Sequence, residues 1–187
     1  MKKNLLISVL MTIVTTVLLG LVYPLVVTAL AQLFFRDKAN GQLVERNGTV
    51  VASRIIAQPF AGAGYFHPRP SAGNGYDASA SAGSNLGPTN QKLIDRVNAD
   101  VASAQAENRG APVPVDMVTT SASGLDPDIT PASAEFQVPR IAKARGLSEE
   151  SVRTIVAQHT QGRQWGFFGE ARVNVLELNL SLDSLSR

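Results

Sequence analysis

The sequence predicts an α+β protein, with a single N-terminal transmembrane helix followed by a small mixed α+β extracytoplasmic domain. Three observations predict it. Residues 5–35 are almost wholly apolar, and no charge lies between Lys3 and Arg36. The rest of the 187-residue chain is long enough for one domain with its own core. In that remainder, helical periodicity and capping signals alternate with short extended stretches and turn dipeptides. The expected division is residues 1–36, a cytoplasmic stub with a kinked anchor, and residues 37–187, the folded domain.

A bilayer core of about 30 Å needs about 20 apolar residues in a helix. The run exceeds this, reaching roughly 45 Å at 1.5 Å per residue, so tilt or an extension past the lipid is expected. A cleaved signal peptide has an apolar core of about 7–15 residues before a small-x-small site. The nearest such pattern, Thr28-Ala29-Leu30-Ala31, still has Phe34 and Phe35 beyond it, which favours a retained anchor. Pro24 follows Tyr23 inside the run and predicts a kink near Val22 and Tyr23, because proline lacks an N–H and crowds the preceding turn. Gly20 permits close approach, and Thr12, Thr15, Thr16 and Thr28 add small or polar faces. Gly20, Tyr23 and Pro24 are the candidates for packing against partner helices; the alternative is an ordinary anchor containing these residues. Lys2, Lys3 and the amino group before the helix, against Arg36 and Lys38 after it, favour a cytoplasmic N-terminus and a domain outside.

Lys2 and Lys3 account for the whole surplus of 17 Lys and Arg over 15 Asp and Glu. The domain therefore has no basic tail or clustered patch of the kind that binds nucleic acid. With no cysteine, disulfides, thiol nucleophiles and Cys-ligated metal centres are excluded.

Asn47-Gly48 between Leu43-Val44 and Val50-Val51 predicts a short hairpin within residues 42–56. Asn47-Gly48-Thr49 is also a glycosylation sequon, a reading that competes with the turn. Residues 59–88 are rich in Gly, Ser, Ala, Pro and Asn yet carry Phe60, Tyr65, Phe66 and Tyr76. Such a loop is expected to be ordered, with Tyr65 and Phe66 either plugging the core or facing a partner. His67 has no second ligand nearby in sequence, so a metal site is not expected there.

Thr89 is the expected cap of an amphipathic helix running to Asn108, with Leu93, Val97, Val101 and Ala104 on its inner stripe. Residues 112–120 read as extended, their prolines favouring an edge or coil. In residues 119–128 the hydroxyls and carboxylates lack both P-loop and calcium-loop spacing, so turn formation is favoured over a ligand site. Thr130-Pro131 opens a helix to Arg145, with Pro139 kinking it or splitting off its first turn. Ser148 opens another, with Leu147 and Val152 spaced as a hydrophobic staple and His159 near its end. No serine or cysteine nucleophile is expected around His159. Residues 165–169 form an aromatic loop able to face core, partner or membrane. Residues 172–182 alternate as a closing strand, with a break near Val175 and Leu176.

The loops carry a further signal. Tyr23-Pro24, residues 65–71 (Tyr-Phe-His-Pro-Arg-Pro-Ser), residues 84–90 (Ser-Asn-Leu-Gly-Pro-Thr-Asn) and residues 115–127 follow one another in order. Within the last block Thr119 and Ser121-Ala122-Ser123-Gly124-Leu125-Asp126-Pro127 stand out. Gln137, Arg140, Ala144-Arg145 and residues 169–179 (Gly-Glu-Ala-Arg-Val-Asn-Val-Leu-Glu-Leu-Asn) complete the series. Together they resemble the C-subunit family of the bacterial Kdp-type potassium-transporting ATPase, with Ala82 departing from the family's usual glycine.

The resemblance implies an accessory, non-catalytic subunit of an ATP-driven, high-affinity potassium importer in the bacterial inner membrane, single-pass with a periplasmic domain. Implied partners are a channel-like potassium-binding subunit, a P-type ATP-hydrolysing subunit, a small hydrophobic stabilising subunit and membrane lipid. The complex uses ATP, Mg²⁺ and K⁺, and the chain alone binds no cofactor. The family role of raising the pump subunit's ATP affinity fits awkwardly with a domain outside the cytoplasm, where ATP is not found. Assembly and stabilisation of the channel-like subunit fit better. Partner-interface candidates are Tyr65, Phe66, Arg69, Pro70, Ser71, Asn85, Leu86, Thr89, Asn90, Asp116, Thr119, Ser121, Gly124, Asp126, Gln137 and Arg140. Asp116, Asp126 and Asp128 are candidates for concentrating K⁺ outside the channel. Two other classes compete: a membrane-anchored enzyme, for which no nucleophile and base occur at motif spacing, and a periplasmic ligand-binding or sensor domain using the loops at 65–71 and 121–126.

Overall fold

The apolar run folds as a helix from Lys2 to Phe34 in which no residue is buried, in a computed structural model describing residues 1–72 and 75–185. Its α-helical parts are α1 (Lys2–Thr15) and α2 (Tyr23–Phe34), joined by a π-helical stretch, Thr16–Val22. The π-helix explains how Pro24 is tolerated. A wider turn relieves the clash between the proline ring and the preceding carbonyls, and Tyr23 donates its N–H five residues back to Leu18. Ser8, Thr12 and Thr15 donate their hydroxyls to carbonyls of their own helix, at 2.9, 2.9 and 2.8 Å. A short helix, α3 (Arg36–Ala39), follows at Phe35.

The chain divides into two compact units, Met1–Val51 and Ala52–Arg187. The division falls inside the expected hairpin, β1 (Leu43–Arg46) and β2 (Thr49–Ser53), which pair with each other. Asn47 and Gly48 turn the chain with φ of 53° and 76°, the two left-handed residues that a tight hairpin turn requires.

In the second unit, α5 (Pro131–Arg145), α6 (Glu149–His159) and α7 (Val175–Leu185) pack around a three-stranded antiparallel sheet ordered β3 (Asp128–Ile129), β5 (Arg172–Asn174), β4 (Thr160–Gln161). Val173 pairs with Ile129 on one side and Thr160 on the other. The core is Phe66, Ile129, Ala134, Val138, Ile141, Ala142, the α6 stripe Val152, Ile155 and Val156, and Val173, Val175, Leu178 and Leu182. Thr130 and Ser148 cap α5 and α6 as their sequences require, accepting from the N–H groups of Ser133 and Ser151 at 3.1 Å each. Gly146 ends α5 with φ of 66°. Helix α4 (Gln91–Glu107) places Leu93, Val97, Val101 and Ala104 inward as expected, with only Ala104 fully buried.

Three expectations are corrected and two are sharpened. Asn90 caps α4, accepting from Lys92 N at 3.0 Å, and Thr89 stands one residue outside. Residues 112–120 contain a 3₁₀ turn, Val115–Met117, because Pro114 starts a turn that the hydroxyl of Thr119 closes onto Val115 O at 2.8 Å. Of the two outcomes expected at Pro139, splitting off the first turn does not occur: α5 runs unbroken from Pro131 to Arg145, with Val138, Ile141 and Ala142 on either side locked in the core. The closing strand is only β5. At Asn174 the chain turns directly into α7, where Val175, Leu178 and Leu182 share a buried helical face. The Oδ1 of Asn174 accepts from Glu177 N at 3.1 Å, capping the helix. No serine near in sequence points to His159, yet α7 brings the Ser181 hydroxyl, 22 residues on, to 2.9 Å from His159 Nε2, a contact the sequence does not announce.

Candidate functional site

The described residues among 59–88 form no helix or strand, so their backbone polar groups need partners from elsewhere. Two buried amide side chains supply them at consecutive residues. Asn179 on α7 accepts from Phe66 N at 2.8 Å and donates to Phe66 O at 2.9 Å. Gln137 on α5 accepts from His67 N at 2.8 Å and donates to His67 O at 3.2 Å. Each amide mimics one rung of a β-ladder, and the Phe66 side chain sits with zero exposure in the core between them. Arg140 donates to the carbonyls of Ala63 and Tyr65 and to Gln137 Oε1, and pairs with Glu107 at 2.8 Å. Arg145 donates to Gly64 O at 2.6 Å, pairs with Asp183 at 2.9 Å and lies 4.7 Å from the Tyr65 ring centre. Burial, with Arg140 alongside, holds the His67 imidazole below its ordinary pKa.

Arg69 ties this loop to residues 119–126. Its guanidinium reaches Asp126 at 3.0 Å, Thr120 O at 3.2 Å and Thr119 O at 3.4 Å, while the Tyr76 hydroxyl donates to Arg69 O at 2.8 Å. Further along, the two segments touch backbone to backbone. A Cβ on Gly124, whose φ is +67°, would lie 2.7 Å from Ala82 O, and one on Gly83 would lie 2.9 Å from Ala122 O. Ser81 also donates to Ser123 O at 3.1 Å. Small residues here serve close approach.

The acidic residues are already engaged. Asp116, nearly buried, accepts from Thr130 N at 2.7 Å and from the hydroxyls of Thr130 and Ser133, binding the 3₁₀ turn to the N-terminus of α5. Asp128 lies 3.3 Å from Arg172 and accepts from Asn174 Nδ2 at 3.2 Å; burial raises its carboxyl above the usual range, Arg172 and Asn174 opposing. A cleft of about 280 Å³ opens beside them, lined by Arg69, Asp116, Asp126, Asp128, Glu170 and Arg172 among others. Arginines alternate with carboxylates there, and among the described residues no group of three His, Asp or Glu is arranged to hold a metal ion.

The candidates from the sequence thus fall into two sets. Phe66, Asp116, Ser121, Gly124 and Gln137 are buried and act from within. Tyr65, Arg69, Pro70, Ser71, Leu86, Thr119, Asp126 and Arg140 are half-buried, and Asn85, Thr89 and Asn90 are exposed. Gly20, Tyr23 and Pro24 are exposed along the first unit's helix. Asn174, Asn179, Tyr76 and Arg145 were absent from the candidates. Asn174 had a signal in sequence, an Asn followed three residues later by Glu177 as in a capping box. Asn179 had a weaker one, a lone amide in a leucine-rich run.

A helix apolar enough to cross a membrane, followed by an α+β domain whose loop at residues 63–67 is fastened by amide and guanidinium groups, defines a membrane-anchored domain. The family described as "KdpC: K+-transporting ATPase, c chain" matches residues 5–184, and the chain belongs to that family. It is 70% identical over 184 residues to the potassium-transporting ATPase KdpC subunit of Koribacter versatilis, covering 98% of this chain and 95% of that one. It is 59% identical over 180 residues to the KdpC subunit of Acidobacterium capsulatum, at 95% and 96% coverage. The KdpC subunit of Mycobacterium tuberculosis is 53% identical over 189 residues, at 99% and 100%.

Proposed function

We propose that this chain is the accessory, non-catalytic subunit of an ATP-driven potassium importer, stabilising the assembly and contacting the channel-like subunit on the outer side of the inner membrane. The observation that carries the reading is the family match over residues 5–184, which takes in both the anchor and the domain. One buried candidate supports it: Gln137 bonds the backbone N–H and C=O of His67 and so helps to pre-organise the surface beside it. The exposed Asn85, Thr89 and Asn90, with the half-buried Leu86 beside them in sequence and the half-buried Tyr65 and Arg69 earlier in the chain, are the surface proposed to meet the partner. In the lipid, the face bearing Gly20, Tyr23 and Pro24 packs against neighbouring helices. Any rise in the pump subunit's ATP affinity is transmitted through these contacts, a reading supported by flanking charges that favour only residues 1–4 or so lying on the side where ATP is found.

Affinity purification of the tagged full chain from mild detergent tests the assembly. The expected result is recovery of a channel-like and a P-type subunit together with potassium-stimulated ATP hydrolysis; recovery of the chain alone, with undiminished hydrolysis by the other subunits, overturns the reading. Topology is tested by single cysteines at Lys3 and Ser148 in this cysteine-free chain. An impermeant thiol reagent is expected to label position 148 and not position 3 in intact cells, and the reverse pattern reopens direct nucleotide contact.

A further inference from the structure

The connection between β4 and β5 holds the most exposed aromatic group in the second unit. Trp165, Phe167 and Phe168 are 85%, 64% and 53% exposed. They are held there and do not dangle: Gln164 N donates to Phe168 O and Phe168 N to Gln164 O, both at 2.9 Å, pinching the segment into a small hairpin tip. The indole packs edge-on against Phe168 at 5.8 Å, and the two phenyl rings lie 4.3 Å apart. Trp165 adopts φ of 52°, a region that bulky side chains rarely enter and that glycine or asparagine would occupy at lower cost. The turn itself gives no reason for tryptophan there, so the reason lies in what the side chain meets.

The surroundings select lipid over protein. Every residue from 161 to 170 is exposed, and apart from the three rings the flanks are polar or glycine: Gln161, Gly162, Gln164, Gly166, Gly169 and Glu170. Three partly exposed rings of roughly 150–250 Å² each fall short of the about 800 Å² per partner of a stable protein interface. A narrow protrusion suits insertion between headgroups, where Trp and Phe are favoured. Arg163, exposed and without an ion pair among the described residues, puts a positive charge next to the rings, while the acidic Glu170 lies at the base of the tip, so the end nearest the rings carries the sign that attracts anionic phospholipid. The same chain carries a helix apolar enough to span a bilayer, which keeps a lipid surface at high effective concentration.

We infer that the Trp165–Phe168 tip docks into the headgroup region of the membrane that holds the anchor, with Arg163 against anionic headgroups. Trp165 is the one tryptophan in the chain, so its fluorescence reports the tip alone. The full chain is reconstituted in phosphatidylethanolamine–phosphatidylglycerol vesicles, with or without lipid brominated near the headgroup end of its acyl chains. The expected result is that bromolipid removes about half of the emission and that acrylamide quenching is weak, as befits an interfacial indole. Phe167→Ser with Phe168→Ser restores acrylamide access, and replacing phosphatidylglycerol by neutral phosphatidylcholine weakens the bromolipid effect. Full acrylamide access with no bromolipid quenching overturns the inference. So does protection that appears only on adding the larger subunits and without bromolipid quenching, which assigns the tip to a protein partner. Quenching indifferent to headgroup charge overturns the role of Arg163.

Discussion

Two irregular segments of the domain share a composition of glycine, polar residues and aromatic rings, yet their physical states are opposite. Residues 63–67 are fastened: Phe66 is fully buried, and Asn179, Gln137, Arg140 and Arg145 together bond the carbonyls of residues 63–67 and the N–H groups of Phe66 and His67. Among the described residues, residues 162–169 are fastened only to themselves, by the pair of hydrogen bonds between Gln164 and Phe168 and by the turn bonds Gly166 N to Arg163 O and Phe167 N to Gln164 O. An aromatic residue in a loop therefore says nothing about burial until the polar partners of its backbone are known. A loop that enters a core must bring hydrogen-bond partners with it, because an unmade buried bond costs about 1–3 kcal/mol per group. A loop that stays in water has no such requirement.

The comparison predicts its largest asymmetry at the rings themselves. Phe66→Ala opens a cavity at the centre of the second unit and is expected to cost about 3–5 kcal/mol. Asn179→Ala leaves the N–H and C=O of Phe66 unpaired in the core and is expected to cost about 2–4 kcal/mol. Thermal unfolding of the full chain in lipid nanodiscs, followed by near-ultraviolet dichroism, reads both. If either variant melts with the native chain, the amide clamp does not hold the loop.

Glycines give the next contrast. Gly124→Ala combines a left-handed backbone with a Cβ 2.7 Å from a carbonyl oxygen, and is expected to cost about 2 kcal/mol. Gly162→Ala, at the base of the aromatic tip, meets nothing within 4 Å and is expected to be neutral. Equal melting of these two variants would mean that the segments around Ala82 and Gly124 do not touch in solution.

Much of this was legible in the sequence because the governing signals are local. The anchor, the Asn47-Gly48 turn, the caps at Thr130 and Ser148 and the stop at Gly146 each depend on a few adjacent residues. Residues 172–182 were misread because alternation and helical spacing coincide in Val-Leu-Glu-Leu-Asn-Leu-Ser-Leu. Val175, Leu178 and Leu182 satisfy a helix, Leu176, Leu178, Leu180 and Leu182 satisfy a strand, and the capping pair Asn174 and Glu177 decides between them. The roles of Gln137 and Asn179 were not legible. Their partners lie 70 and 113 residues away, and nothing near them in the chain announces a backbone to clamp. The candidate loops were found through resemblance, whereas their division into buried struts and exposed surface required the fold.

Acidity tests the fastened loop more gently. Burial and Arg140 hold His67 below its ordinary pKa, with Glu107 and the bond to Gly62 O opposing. The unfolded chain takes up this proton more readily, near pH 6.5. The contribution of neutral His67 is therefore present above about that pH and is lost as pH falls towards the folded value. Asp128, raised by burial, acts in the opposite sense at lower pH, its contribution being present below its unfolded value and lost as pH rises through the folded one. Between about pH 7.5 and 5.5, melting temperature is expected to fall more steeply in the native chain than in His67→Asn. Equal slopes would show that protonation does not disturb this part of the loop.

The smallest effect is expected at the most conspicuous residue. Trp165 is 85% exposed and touches little beyond Phe168, so Trp165→Ser removes almost no buried surface. Its φ of 52° favours a smaller residue, and the two contributions should leave unfolding within about 0.5 kcal/mol of native. The matching change in the other segment, Tyr65→Ser, removes the ring beneath Arg145 and beside Phe60 and should cost about 1–2 kcal/mol. The pair isolates what distinguishes the segments, since each variant loses one large aromatic from a glycine-rich loop. If Trp165→Ser destabilises the domain as much as Tyr65→Ser does, the tip is part of the domain's own packing and is not free to enter a membrane.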